Sequence, residues 1–248
     1  MRNDITDAPR TAIVTGGSSG IGRAFVASLH HSGWQVVTCG RDIGKLHQLA
    51  QEFPGVHVYQ CDVSDKTSVM AFVAWVSSAF QNIKLLVNNA GGMSELDFTQ
   101  ADLLHLDLTQ EIRANLDGVI NVTAGLLPAL RAAAPSQIIM VSSGYGLVPA
   151  TRAPVYSASK AGLRSFTKAL RRQLKDEGVS ITDVAPPAVD TSAAGGYQGK
   201  KISPEQVVAL TLDAAWRGQK EVYPGETRWL PLMMRLAPGW IENLVART

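Results

Sequence analysis

Short apolar segments alternate with longer helical segments along almost the whole chain, and this alternation restricts the possible folds more than any other feature. The apolar segments are 11–15, 35–39, 56–61, 84–88, 137–141 and 179–184. Several are continuous rather than alternating in polarity, as expected for parallel strands covered on both faces. The helical segments include 20–31, 65–80, 156–177 and 204–216. Repeated strand–helix–strand units predict an α/β fold with one doubly wound parallel sheet and helices on both faces.

The length and charge of the chain fit a single domain over 1–248 that acts on a small molecule. A chain of 248 residues suits one large α/β domain, and no repeat or linker divides it. The net charge of +2 creates no overall field that would attract nucleic acid or an anionic membrane. The polar N-terminus lacks the apolar segment of a signal peptide, so we expect a cytoplasmic location without a membrane span.

The cysteines and histidines predict neither a disulfide framework nor a metal site. Cys39 and Cys61 end the second and third predicted strands, which the fold could make neighbours. A reducing compartment nevertheless argues against a disulfide between them. The five histidines show no metal-ligand spacing, so we predict no metal.

A glycine-rich segment, TGGSSGIG at 15–22, follows the first strand and begins the first helix. Glycines let the backbone turn sharply and approach a pyrophosphate, and free N–H groups at a helix N-terminus bind phosphates. A glycine-rich turn alone also fits a purely structural role, but this one has the strand–loop–helix context that a dinucleotide site requires. The predicted cofactor-binding residues here are Gly16, Ser18, Ser19, Gly20, Ile21 and Gly22.

The end of the second strand indicates which dinucleotide is preferred. An acidic residue at this point would hold both ribose hydroxyls and repel a 2′-phosphate, whereas an arginine accommodates it. Gly40 stands where the acid is expected, and Arg41 follows it. Asp42 lies one residue farther along and fits the start of the next helix. The sequence therefore predicts NADP(H) bound at Arg41.

Tyr156 and Lys160 lie four residues apart at the start of a predicted helix, and therefore on one face. An unperturbed tyrosine, with a pKa of about 10, is a poor acid or base at neutral pH, but a nearby ammonium lowers that pKa. Ser143, after the strand at 137–141, offers a hydroxyl that could bond a carbonyl oxygen. By itself this tyrosine–lysine spacing is also common on helix surfaces.

Together with other segments in the same order, these residues resemble the short-chain dehydrogenase/reductase family over nearly the whole chain. The other matching segments are Asp62-Val63, Asn88-Asn89-Ala90-Gly91, Asn115 and Thr191. The resemblance implies a Rossmann-like fold and a nicotinamide cofactor. Tyr156 would protonate the substrate oxygen, Lys160 would hold the nicotinamide ribose and depress the tyrosine pKa, and Ser143 would orient the carbonyl. Asn115 would interrupt its helix and hold a water that relays protons to Lys160. Further implied cofactor contacts are Asp62, Val63, Asn89, Ala90, Gly91, Val189 and Thr191.

Pro187 departs from the family pattern, which usually has glycine in this loop. Proline fixes φ at about −65° and lacks an N–H, whereas glycine also takes positive φ. We therefore expect the loop over the nicotinamide to run differently or more rigidly. This PPAVDT segment, with RLAP at 235–238, resembles a subgroup related to the oxidoreductase of teichoic-acid D-alanylation operons.

Two further segments are expected to surround the substrate. Residues 190–203 are short and glycine-bearing, which predicts a substrate lid. Residues 226–248 are rich in Trp, Leu and Met, which favours either core or subunit packing or a pocket wall. The mostly apolar lining predicts a neutral, moderately apolar ketone or aldehyde. The lining residues expected are Met93, Tyr145, Leu147, Val148, Val189, Tyr197 and residues 229–234.

Two functions from different classes fit the sequence. The first is an NADPH-dependent oxidoreductase that interconverts a carbonyl and an alcohol by direct hydride transfer, with Tyr156 as general acid/base. The second is a non-catalytic NADPH-binding regulator or scaffold, because a fold does not guarantee an activity. The intact set of Asn115, Ser143, Tyr156 and Lys160 favours the enzyme. The expected partners are a small carbonyl or alcohol substrate and further copies of the chain in a homodimer or homotetramer.

Overall fold

A single parallel sheet forms the centre of the molecule. The computed structural model describes residues 8–191 and 199–246. Within them, seven strands pair in the order β3-β2-β1-β4-β5-β6-β7, and every pairing is parallel. The strands are β1 (Thr11–Thr15), β2 (Gln35–Gly40), β3 (His57–Gln60), β4 (Ile83–Asn88), β5 (Ser136–Val141), β6 (Val179–Val184) and β7 (Glu221–Val222).

Helices cover both faces of this sheet. They are α1 (Gly20–His31), α2 (Ile43–Glu52), α3 (Lys66–Ala79), α4 (Gln110–Ile112), α5 (Gly118–Ala132), α6 (Pro154–Gln173), α7 (Pro204–Trp216), α8 (Leu230–Leu236) and α9 (Pro238–Val245). One apolar core joins the sheet to α1 and α7, for example through Phe25 and Val207. The other joins it to α3, α5 and α6, for example through Phe72, Leu126 and Leu163. The predicted doubly wound α/β fold is confirmed.

The strand order creates one point at which the chain reverses its direction of sheet growth. From β1 the chain builds outward through β2 and β3, and it then returns to place β4 on the other side of β1. Helices leaving β1 and β4 therefore diverge and leave a crevice at the carboxyl ends of these two strands. Both strands are buried almost throughout, so the base of the crevice is formed by packed core strands.

Three features differ from the sequence-based prediction. β7 was not predicted, because its two residues form no apolar run and are recognisable only from their pairing with Asp183 and Val184. The helix expected over 156–177 begins at Pro154, which suits a first helical position, and ends at Gln173. The strand expected over 56–61 is shortened to His57–Gln60.

Candidate active site

A cavity of about 810 Å³ lies at the crevice between β1 and β4. Its wall includes every predicted cofactor-binding residue except Gly22, and it also includes Ser143, Tyr156 and Lys160. Loops after β1, β2, β3, β4, β5 and β6 all contribute to the wall. Residues predicted from separate parts of the sequence thus surround one space.

The glycine-rich loop packs against the rest of the site at very short distances. Gly16 has a φ of +70°, a conformation that glycine adopts without strain. A Cβ on Gly22 would lie 2.1 Å from the carbonyl oxygen of Gly16, so no other residue fits there. Gly22 therefore lies behind the cavity wall, where it lets α1 start close to the loop. Gly17 N donates to Thr38 Oγ1 at 3.1 Å, which ties the loop to β2.

The segment after β4 is fastened to the glycine-rich loop. Asn89 Nδ2 donates to the carbonyl oxygens of Thr15 and Gly16 at 3.0 and 3.1 Å. The Thr15 hydroxyl accepts from the backbone N–H groups of Asn89 and Ala90, each at 3.0 Å. These bonds hold the two loops at a constant separation across the crevice, which pre-organises the site for an extended ligand.

Arg41 is the cationic side chain of the cavity wall at the end of β2. The other charged candidate there, Asp42, caps α2 by accepting a hydrogen bond from Lys45 N at 3.0 Å. Within residues 8–191 and 199–246, Arg41 forms no ion pair. Cys39 and Cys61 are buried neighbours nearby and both are free thiols.

Tyr156, Ser143 and Lys160 converge on the other half of the cavity. Tyr156 and Lys160 lie on the first turns of α6, and Ser143 follows β5. The Ser143 side chain lies close enough to the Tyr156 hydroxyl to lower the pKa of Tyr156, against the larger effect of burial. The Lys160 ammonium lies 5.7 Å from the centre of the Tyr156 ring and donates to the carbonyl oxygen of Val141 at 2.9 Å.

Asn115 lies behind this group rather than in the cavity wall. The helical run from α4 to α5 widens into a π-helical turn over Arg113–Asp117, which is the interruption that the family resemblance implied. The fully buried Asn115 side chain accepts from Gly92 N and donates to Gly92 O, both at 2.9 Å. It also donates to Ser159 Oγ at 3.0 Å. Asn115 therefore connects the loop after β4 to the helix that carries Tyr156 and Lys160.

Burial controls the protonation of the tyrosine–lysine pair. Part of the Tyr156 side chain faces the open cavity, but the surrounding protein removes enough solvent to raise its pKa to about 12. Burial likewise lowers the pKa of Lys160 to about 8, while the Asp183 and Glu111 carboxylates oppose that shift. The sequence led us to expect a lowered tyrosine pKa. In the free protein the pKa of Tyr156 is raised instead, because burial removes water from the phenolate and the Glu111 carboxylate adds to the rise.

A buried ion pair holds α6 against the sheet. Arg164, one turn beyond Lys160 on α6, bonds Asp183 of β6 at 2.5 Å, and neither side chain is more than 4% exposed. Arg164 also reaches the Tyr223 hydroxyl at 2.9 Å and Glu221 at 3.6 Å. Burial raises the pKa of Asp183, while Arg164 opposes the rise. This network joins α6 to β6 and β7.

The substrate end of the cavity is only partly as expected. The predicted residues that line it are Met93, Tyr145, Val148, Val189, Trp229, Leu230 and Met233. Leu147 is absent from the wall. Tyr197 lies outside the described residues, as does half of the predicted lid, residues 192–198. Pro187 is part of the wall. Beside it, Val189 and Ile202 form a short bridge that joins the two ends of the predicted lid.

Sequence reasoning missed the charged side chains of the substrate end. Glu95, Glu111, Arg152 and Glu226 all line the cavity. Arg152 forms an ion pair with Glu95, and hydrogen bonding to Tyr145 raises its pKa. None of these residues lies in a recognisable motif, so only their position in the fold reveals them.

The described residues lack the features of two other classes of protein, membrane-spanning proteins with helical spans and proteins with a cluster of metal ligands. No helix among them is both long and apolar enough to pass through a bilayer. The same residues contain no group of three or more His, Cys, Asp or Glu side chains arranged to hold a metal ion.

Comparison with known proteins identifies the family of the chain. Residues 10–201 match the family model described as short chain dehydrogenase. The uncharacterized oxidoreductase DltE of Bacillus subtilis (strain 168) is 36% identical over 219 residues, which cover 86% of each chain. Sulfoacetaldehyde reductase 2 of Chromohalobacter salexigens is 36% identical over 184 residues, which cover 72% of each chain.

Solved structures show the same fold. A short chain dehydrogenase from Burkholderia cenocepacia J2315, in complex with NADP, superposes with a TM-score of 0.85 at 24% identity. The match covers 96% of this chain and 98% of that one. A short chain dehydrogenase/reductase from Burkholderia phymatum, in complex with NAD, gives a TM-score of 0.83 at 23% identity. The chain therefore belongs to the short chain dehydrogenase family of oxidoreductases, in a subgroup that resembles DltE.

Proposed function

We propose that this protein is an NADPH-dependent reductase that interconverts a ketone or aldehyde and the corresponding alcohol, with Tyr156 as general acid/base. The observation that carries the proposal is that Tyr156, Ser143 and Lys160 line one cavity, with the Lys160 ammonium 5.7 Å from the centre of the Tyr156 ring and Ser143 close enough to act on the Tyr156 pKa. Two convergent hydroxyls form a site in which a carbonyl oxygen would accept two hydrogen bonds. The reductase of C. salexigens, whose name gives an aldehyde as its substrate, supports the reaction class.

The residues present fit a nicotinamide dinucleotide. The glycine-rich loop presents backbone at the start of α1, and a Cβ on Gly16 would lie 2.9 Å from Ala90 Cα, so this cradle depends on glycine. Ser18 and Ser19 add hydroxyl groups for phosphates, and Arg41 adds a positive charge. The solved structures with NADP and with NAD share this fold. When bound, the dinucleotide supplies or accepts the hydride.

The chain's own residues position the carbonyl and move one proton. The Tyr156 hydroxyl, with its pKa raised to about 12, is protonated at neutral pH and is ready to donate a proton to the substrate oxygen. The Ser143 hydroxyl donates a second hydrogen bond to that oxygen and thereby stabilises its developing negative charge. The Lys160 ammonium then lies beside the newly formed phenolate and stabilises it. Asn115 holds α6 at the correct distance from the loop after β4.

The direct test is a spectrophotometric screen. Purified protein and NADPH are mixed with a panel of neutral, anionic and cationic ketones and aldehydes, and oxidation of NADPH is followed. Saturable, carbonyl-dependent oxidation is expected for at least one class. Tight NADPH binding without turnover on any member of the panel would favour the non-catalytic regulator instead.

Replacement of Arg41 by alanine is expected to weaken NADPH binding much more than NADH binding. A charge-assisted hydrogen bond to the 2′-phosphate contributes about 1.5–3 kcal/mol, which corresponds to roughly 10- to 150-fold in Kd. Fluorescence titration of both cofactors measures the effect, and Arg23→Ala, on α1, is a control. Equal affinity of the wild-type protein for NADPH and NADH would contradict this assignment.

The pH dependence of NADPH use is expected to follow Lys160. Its pKa of about 8 in the free protein means that the ammonium is lost as the pH rises through that value. Because kcat/KM reports groups of the free enzyme, kcat/KM for NADPH should fall above a pH of about 8. Tyr156, with a pKa of about 12, adds no second limb between pH 7 and 10. Initial rates over this range provide the test, and a flat profile would show that Lys160 keeps its proton.

A further inference from the structure

Glu111, on α4, is a buried carboxylate that the proposed reaction does not use. The residue is only 9% exposed, and it lines the cavity that contains Ser143 and Tyr156. One oxygen, Oε1, accepts a hydrogen bond from Ser94 N. The other oxygen, Oε2, is buried and has no hydrogen-bond partner within the described part of the chain.

A buried carboxylate oxygen that accepts no hydrogen bond is energetically unfavourable. A ligand that donates to this oxygen would remove that cost, so the oxygen indicates which chemical group the ligand carries. The cations near Glu111 already have other partners. Lys160 donates to the Val141 carbonyl, Arg152 forms an ion pair with Glu95, and Arg113 bonds Asp107 and Thr109. Among residues 8–191 and 199–246, the cations near Glu111 therefore leave Oε2 available to a donor on a ligand.

The position of Glu111 indicates where that donor lies. Glu111 precedes Asn115 by one helical turn and holds Ser94, in the loop that continues from Gly91 and Met93 along the substrate end. Its negative charge acts on both Tyr156 and Lys160. A group bound at Glu111 would thus lie close to the carbonyl that Tyr156 protonates.

The charge balance of the substrate end favours a cation over an anion. Among the described residues of the wall near Tyr156, three carboxylates face two cations, Arg152 and Lys160; the carboxylates are Glu95, Glu111 and Glu226. The Arg152 Nε atom also lacks a hydrogen-bond partner in this part of the chain, but Glu95 neutralises the guanidinium charge. An anionic substrate would meet an excess of negative charge, whereas a protonated amine would be attracted.

We propose that the natural substrate carries a protonated amine close to its carbonyl, as an amino ketone or amino aldehyde does, and that Glu111 binds this ammonium. The assignment rests on the proposed reductase activity. The rest of the substrate packs against the apolar wall formed by Met93, Val148, Leu230 and Met233. Glu111 is then a specificity-determining residue. The substrate proposed here is cationic, whereas the sequence led us to expect a neutral one.

The kinetic test uses two ketones of matched shape. Aminoacetone and 2-butanone differ only in an ammonium against a methyl group, and kcat/KM is measured for both with NADPH at pH 6.5. An ammonium group also makes a neighbouring carbonyl more reactive. The informative quantity is therefore kcat/KM for aminoacetone divided by kcat/KM for 2-butanone, determined for each variant. Glu111→Gln keeps the size of the side chain and the acceptor for Ser94, and it should lower this ratio at least tenfold.

Glu226→Gln is the matched control, because it removes a carboxylate from the exposed rim of the same cavity. Solvent screens exposed charges, so this variant should change the ratio less than twofold. An equal loss of kcat/KM for both ketones in Glu111→Gln would overturn the proposal, because it would indicate a general positioning role. An unchanged ratio would overturn it as well.

A binding experiment separates this proposal from the reductase proposal. Calorimetry with 1-amino-2-propanol on protein saturated with NADPH involves no possible reaction, so it reports recognition even if no ketone is turned over. A Kd at least tenfold weaker in Glu111→Gln than in the wild type supports the ammonium site. Equal affinities, or no binding to the wild type, would reject the ammonium site whatever the kinetic result.

Discussion

Replacement of Tyr156 by phenylalanine is expected to reduce kcat for carbonyl reduction by about 10²–10⁴-fold, the range typical of a lost general acid. The ring stays in place beside Ser143 and Lys160, so the variant removes the proton donor and little else. Steady-state kinetics on the best carbonyl of the panel measure the effect. The Kd for NADPH, from fluorescence titration, should change no more than a few-fold.

Tyr145→Phe is the control for this experiment. Tyr145 lines the same cavity and contacts the Tyr156 ring edge-on, with 6.4 Å between ring centres. Its side chain, however, acts on Arg152, whose pKa it raises. Loss of the Tyr145 hydroxyl should therefore reduce kcat less than tenfold. If Tyr156→Phe kept turnover within a few-fold of the wild type, another residue would have to be the proton donor.

Replacement of Asp183 by asparagine is expected to lower the free energy of unfolding by about 3 kcal/mol. Removing one partner of a buried ion pair leaves the other charge uncompensated, which typically costs about 3–5 kcal/mol. The lower end applies here because Arg164 keeps Tyr223 at 2.9 Å and Glu221 at 3.6 Å. Equilibrium unfolding in urea measures the change.

An exposed ion pair in the same fold provides the comparison. Arg131 and Glu177 form a pair whose side chains are 52% and 38% exposed. Because exposed pairs contribute only about 0.2–1 kcal/mol, Arg131→Ala should have a much smaller effect than Asp183→Asn. The double variant Arg164→Met with Asp183→Leu should recover much of the lost stability. A loss below about 1 kcal/mol for Asp183→Asn would show that the pair is not a main support of α6.

The stability of this pair and the geometry of the active site are connected through one helix. Arg164 lies one turn beyond Lys160, so the contacts that hold Arg164 to β6 and β7 also determine where Lys160 and Tyr156 lie. On the other side, Asn115 ties Ser159 of the same helix to the loop after β4. α6 is therefore held from two directions, as the proposed site, which must be pre-organised, requires.

The amino-acid sequence alone was sufficient to predict the doubly wound fold and the family, because both depend on local patterns. Apolar segments of strand length and helical periodicity are properties of neighbouring residues, and they located six of the strands to within two residues. The glycine-rich loop, Tyr156 and Lys160 were recognisable because their chemistry depends on short spacings. Asp42, read as the start of a helix, indeed caps α2.

Only the tertiary structure decided the features that depend on burial and on distances between segments far apart in the chain. β7 exists because its two residues pair with β6, and Gly22 serves packing because α1 starts against the carbonyl of Gly16. The pKa of Tyr156 rises because folding removes water from its hydroxyl. Glu111 has no motif, and its unpaired oxygen is apparent only when α4 packs beside the loop after β4. Such effects arise from desolvation in three dimensions, which residue spacing along the chain does not encode.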